Sequence, residues 1–243
     1  MRKTDENPSE LRSMDPIDPD TTTVAATRRR RSGPTGDATA SARRNGILQA
    51  AERLFAEHGY HGVSIRDIAV AAGVPLALVG YYFGPKAQLY QTIFRERAGY
   101  IAERLRILAE ARRNAPPERL LEEIAKAFVL PVLDLAATPD GKVFLRLLAR
   151  GMNEQLAEDQ PVIRELFDPL ANAFIDAIAA AQPGVRRETA AWSYQFALGA
   201  LLLHVTDERI PRLSPGSARQ RNRARDLLVR FTAEGIRGAC RQS

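Results

Sequence analysis

The stretch Ser64-Ile-Arg-Asp-Ile-Ala-Val-Ala-Ala-Gly-Val-Pro-Leu-Ala-Leu-Val-Gly-Tyr-Tyr-Phe-Gly-Pro-Lys86 decides the fold. Ser64 stands three residues before Asp67, with Val63 ahead of it and Ile68 behind. In that arrangement each polar side chain can cap the other's backbone amide, and the apolar pair can staple the entry to a helix. The helix so started can run only to about Ala72, because Gly73 suits the left-handed residue past a helix end and Pro75 suits the first turn of a new helix. This next helix is expected to reach Tyr82, stop at Gly84-Pro85 and be followed by another that opens at Lys86. Two short helices joined by a tight glycine turn form a helix-turn-helix candidate. Spacing alone leaves open an ordinary helical hairpin whose polar residues face water.

Upstream, Ile47, Leu48, Ala51, Leu54 and Phe55 recur with helical period, predicting an amphipathic helix from Ser41 that stops at Gly59. Residues 1–40 lack apolar periodicity and are rich in Ser, Thr, Pro, Gly and Asp, the composition of a disordered tail. Acidic residues outnumber basic ones over residues 1–20, whereas residues 21–45 carry Arg28–Arg31, Arg43 and Arg44 against Asp37 alone. The Arg28–Arg31 run can be a minor-groove arm or a solvated charge run. Downstream the pattern stays helical. One long helix is expected over 86–113, a second around Leu120–Leu135 with Pro131 bending it, and a third over 140–156, apolar nearly all round. A fourth over 162–181 is kinked at Asp168-Pro169, and the last two cover 186–209 and 218–241, separated by a loop over 210–216. No stretch alternates with period two, so no sheet is expected.

The chain has 243 residues, 45% of them apolar, and a net charge of +6, which favours a polyanionic partner. Its apolar runs fall short of the ~20 residues of a spanning helix, and the N-terminal two dozen residues hold no signal-like apolar stretch. No membrane partner is expected. The single cysteine, Cys240, is compatible with a reducing compartment, and a cytoplasmic setting follows.

The order Arg66-Asp-Ile-Ala, Ala72-Gly-Val, Tyr81-Tyr-Phe-Gly and Lys86-x-x-Leu closely resembles the DNA-binding signature of the TetR family of transcriptional repressors, over roughly Ser41–Ile93. The resemblance implies an all-α protein: a helix-turn-helix domain over residues 41–88, and a helical ligand-sensing and dimerisation domain over 89–243. It further implies that Arg66 touches a base, that the start of the third helix (Pro75, Leu76, Ala77, Leu78) reads the groove, and that Tyr82 and Lys86 hold phosphates. A phenol can also donate to phosphate from Tyr81. The chain departs from the family pattern at Pro75, in place of a Ser or Thr cap, at Leu76, where a polar residue is common, and at Gly80, where an aromatic is common. Because residues 75–78 carry no side-chain donor, the expected readout there is apolar contact with a thymine methyl.

Phe144-Leu-Arg-Leu-Leu-Ala-Arg and Trp192-Ser-Tyr-Gln-Phe-Ala-Leu-Gly-Ala-Leu-Leu resemble the regulatory domain of one TetR subgroup, which implies an inducer cavity and dimerisation through the last two long helices. Phe144, Met152, Phe174, Trp192 and His204 are the candidate pocket residues. The first three read more readily as core filler, and His204 as a hydrogen-bonded interior or interface histidine. Phe196, Gly199 and Leu203, with Leu227 and Phe231, are the candidate dimer face, the alternative being plain core. His58 and His61 flank the helix stop at Gly59 and lack companions for a four-ligand site, so no metal is expected. No cofactor is expected either. With no nucleophile–base pair and no glycine-rich phosphate loop, the sequence offers nothing to catalysis. The expected partners are a double-stranded DNA operator, a hydrophobic small-molecule effector and a second copy of the chain.

Overall fold

The computed structural model describes residues 34–213 and 220–241, and all regular structure among them is helical. The acidic tip and the Arg28–Arg31 arm lie outside the described residues. Helix α1 (Pro34–His58) starts ahead of the expected Ser41. Proline suits a first helical position, and once the buried turns around Ile47, Ala51 and Phe55 exist, adding further turns costs little. At its other end Gly59 takes φ 74°, as the sequence requires.

Helix α2 (Ile65–Ala71) carries the expected capping box: the Asp67 amide donates to Ser64 Oγ at 3.1 Å, and the Ser64 amide donates to Asp67 Oδ2 at 2.8 Å. The Ser64 hydroxyl, which donates to Asp67 Oδ2 at 2.6 Å, and then the Ser64 amide hold the Asp67 carboxyl below its ordinary range. Gly73, at φ 65°, turns the chain into α3 (Leu76–Phe83), so that the two axes differ by 108°. Helix α4 (Lys86–Glu96) buries Leu89, Tyr90, Ile93 and Phe94. Arg44 on α1 ties these pieces together, its guanidinium 5.2 Å from the Phe83 ring centroid and 2.7 Å from Glu96.

The single helix expected over 86–113 is two. Helix α5 (Gly99–Asn114) begins after a break at Arg97 and Ala98, with Arg97 at φ −90°, ψ 0°. Two causes meet there. Gly99 is a poor helix former, and the Arg97 guanidinium is drawn to the buried Glu52 carboxylate on α1 by two hydrogen bonds of 3.0 and 2.7 Å.

Helix α6 (Pro117–Ala136), with Pro131 inside it, packs against α5, α9 and α12 and is buried along most of its length. Helix α7 (Pro139–Glu154) packs against both α1 and the bundle; Lys142 and Arg146 keep one side of it in solvent, so it is not buried all round. The segment expected as one helix over 162–181 is more broken than a proline kink. A 3₁₀ turn (Ala157–Asp159), a single turn α8 (Gln160–Val162) and a π turn (Ile163–Phe167) precede α9 (Asp168–Ala181). Helices α10 (Arg187–Thr206) and α12 (Gln220–Cys240) pack against each other. Part of the expected loop over 210–216 forms a short helix, α11 (Ile210–Leu213), and residues 214–219 lie outside the described residues.

Candidate functional site

The α2–α3 pair leaves one apolar surface in solvent. Leu76 is 52% exposed and Tyr81 81% exposed; Pro75, Ala77 and Arg66 are exposed too, as is Val70, which the sequence reading did not single out. Leu78 is half-buried, while Val79 and Phe83 anchor the helix in the core. Tyr82 is half-buried and packs edge-on to Tyr81, with ring centroids 5.3 Å apart. Lys86 is half-buried at the start of α4, its ammonium 4.2 Å from the centroid of the Tyr60 ring. Burial lowers the pKa of Lys86, and the Glu158 charge opposes that shift. Tyr60 was therefore missed as the platform for Lys86, because nothing in the spacing joins them.

A second exposed apolar surface lies on α10 and α12. Trp192, Phe196, Leu203, Leu227 and Phe231 are all exposed, and the Trp192 and Phe196 rings stack with centroids 6.0 Å apart. Gly199 lies exposed on the same helix. The stripe is thus no part of the core of one chain, whose share of α10 is Ala190, Tyr194, Ala197 and Leu201. Surface of this apolar kind marks an interaction site.

Between α5, α7, α9 and α10 lies a cavity of about 350 Å³. Met152 lines it. Phe144 and Phe174 do not, since both are fully enclosed by other core side chains, Phe174 edge-on to Phe128. Trp192 and His204 are also absent from its wall and are exposed, because α10 turns their faces away from the bundle. The wall comprises instead Phe94, Tyr100, Leu145, Phe167, Tyr194 and Leu198, together with Arg104 and Asp159. Burial raises the phenols of Tyr100 and Tyr194, with the Arg104 charge opposing the rise.

The cavity reaches the helix-turn-helix through the irregular segment 155–167. Asp159, in the cavity wall, accepts a hydrogen bond from the Leu156 amide at 3.2 Å and lies against the Tyr90 hydroxyl of α4. Burial raises its carboxyl, and the Tyr90 hydroxyl and the Leu156 amide oppose the rise. Gly151 permits the approach: a Cβ there would come within 3.2 Å of both Tyr90 Oη and Asp159 Oδ1. Gln91 donates to the Glu158 carbonyl at 3.2 Å, and Arg95 grips Glu165 through bonds of 2.8–3.1 Å. Tyr90 in turn packs edge-on to Phe55 and Tyr60.

Two family models match the chain: "Bacterial regulatory proteins, tetR family" over residues 47–93, and "Tetracyclin repressor-like, C-terminal domain" over residues 126–235. The chain belongs to the TetR family. Among curated relatives, this TetR-family chain is 36% identical over 148 residues to the HTH-type transcriptional repressor Rv3405c of Mycobacterium tuberculosis, covering 60% of the chain and 66% of that protein. To the HTH-type transcriptional repressor AcnR of Corynebacterium efficiens it is 39% identical over 69 residues, covering 28% of the chain. That match spans 36% of AcnR, so the chain aligns with about a third of the length of that relative. A TetR-family transcriptional regulator from Bordetella parapertussis shares the fold at a TM-score of 0.57 and 21% identity, covering 79% of this chain and 93% of that one. These relatives are regulators of transcription, not enzymes, in agreement with the sequence reading that found no catalytic constellation.

Proposed function

We propose that this TetR-family chain is a cytoplasmic repressor that binds a palindromic operator as a homodimer and is released by a small hydrophobic molecule. The observation that carries the reading is the solvent-exposed first turn of α3, set across the capped helix α2 on which Arg66 is exposed. A short helix of this kind enters the major groove with its N-terminal residues toward base edges. Its own turn offers Pro75, Leu76, Ala77 and Leu78, so Leu76 or Ala77 packs on a thymine methyl while Arg66 pairs with guanine O6 and N7. Tyr81, Tyr82 and Lys86 hold backbone phosphates, and the ring of Tyr60 keeps the lysine in place.

Release follows from a population shift: an effector that fills the cavity better in one conformer favours that conformer by its difference in affinity. Asp159 in the cavity wall lies against Tyr90, and its neighbours in the same irregular segment hold α4 through the Arg95–Glu165 pair and the Gln91–Glu158 bond, and through Tyr90 the core of the DNA-binding helices.

Titrating binding to duplex DNA with salt tests the reading. Affinity is expected to fall linearly with the logarithm of salt concentration. Lys86→Ala is expected to reduce that slope by about one unit, and Tyr82→Phe to weaken binding about uniformly across sequences. A change in which sequences are preferred would overturn the assignment to phosphates.

Replacing the contacted thymines by uracil removes a methyl and leaves pairing intact. The expected loss is about 1 kcal/mol per methyl, whereas Arg66→Ala is expected to lose ~1–3 kcal/mol and to relax preference at one guanine. Equal affinity for thymine and uracil operators would contradict the apolar readout.

A further inference from the structure

Arg104 sits in the cavity wall at 3% exposure, and its Nε and Nη2 atoms find no hydrogen-bond acceptor. A buried charge left this way is strongly unfavourable. What company it has is aromatic: its guanidinium lies 4.7 Å from the Phe128 ring centroid and 5.1 Å from that of Phe174. Rings stabilise a cation only in part and accept none of its hydrogen bonds. The buried carboxylate in the same wall, Asp159, is already engaged by Tyr90 and the Leu156 amide. Asp168 stands exposed among the lining residues with Gln155 and Gln160. Among the described residues lining the cavity, Arg104 is the only cation.

We infer that the cavity takes an organic monocarboxylate with an apolar body, whose carboxylate pairs with Arg104. The planar guanidinium presents paired N–H donors that match a carboxylate's two oxygens. The remaining wall, Phe94, Val132, Leu145, Leu148, Met152, Phe167 and Leu170 among it, receives the apolar body. One cation balances one negative charge. A phosphate-bearing ligand would bring a second charge beside Asp159 and Asp168 with no further cation to meet it. The inference deepens the effector reading given above and rests on it.

The test uses the full chain without DNA, and the straight-chain acids from hexanoate to dodecanoate together with 4-phenylbutyrate, each beside its primary amide. Binding is measured calorimetrically and by thermal shift. The acids are expected to bind wild type at least about tenfold more tightly than their amides, since hydrogen bonds to charged groups are the stronger kind. In Arg104→Met that preference is expected to vanish. The ligand-free variant is expected to melt at least about 2 °C higher than wild type, because an unpaired buried charge has been replaced by an apolar chain of similar length. Equal binding of acid and amide to wild type, or undiminished acid binding by Arg104→Met, would overturn the anion assignment and leave the effector cavity standing. No binding by either member of any pair would overturn the cavity reading and the inference with it. Operator binding by ligand-free Arg104→Met, expected to match wild type, separates both failures from a failure of DNA recognition. A variant that melts lower than wild type would show that Arg104 has a structural partner and would also overturn the inference.

Discussion

Placing glutamate at both Phe196 and Phe231 is expected to leave the chain monomeric and to weaken operator binding at least about a hundredfold. The two rings are 64% and 62% exposed in one chain, so charging them should leave its fold untouched. In a two-fold symmetric interface each substitution appears twice, and burying unpaired carboxylates there is prohibitive. A single short recognition helix then has only one half-site, and affinity falls toward the sequence-independent level. Sedimentation equilibrium at micromolar concentration, together with an operator titration, measures both effects. A dimeric double variant with undiminished affinity would place the interface elsewhere.

Arg97→Ala is expected to destabilise the protein by about 1–3 kcal/mol, because it orphans the buried Glu52 carboxylate while Arg97 itself is partly in solvent. Glu52 is only 5% exposed and receives both guanidinium hydrogen bonds from Arg97. Without Arg97 its carboxylate would be left in the core of the DNA-binding helices. Adding Glu52→Gln to Arg97→Ala is expected to restore much of the loss, because the orphaned charge is then gone. Chemical denaturation of the two variants and wild type measures this. A loss under 1 kcal/mol for Arg97→Ala would mean that the pair is solvated and carries little of the hold between α1 and α4.

The local devices were legible because they are written within a few residues of one another. Ser64 with Asp67, and the glycines at 59, 73 and 84 that take positive φ, mark the helix boundaries by chemistry that needs no tertiary context. The break at Arg97–Ala98 was not legible, since its anchor, Glu52, lies on another helix. Nothing in the local sequence singles out Arg104, which only the packing of α5 against α6 and α9 closes in. Helix α10 is apolar on two faces, so its periodicity could not say which face is core. The structure gives Tyr194 and Leu201 to the bundle and leaves Trp192 and Phe196 in solvent, which is also why Trp192 and His204 lie outside the cavity. The irregular turns over 157–167 carry no short-range signature beyond Pro161 and Pro169. They are nonetheless where the cavity meets α4.

Selection of bound fragments from random duplex DNA by the full chain tests the central claim most directly. The expected product is an inverted repeat whose half-sites are centred about 34–36 Å apart, with a guanine and at least one thymine at fixed positions in each half. A pool that remains unenriched, or one enriched in a single unrepeated site, would contradict it.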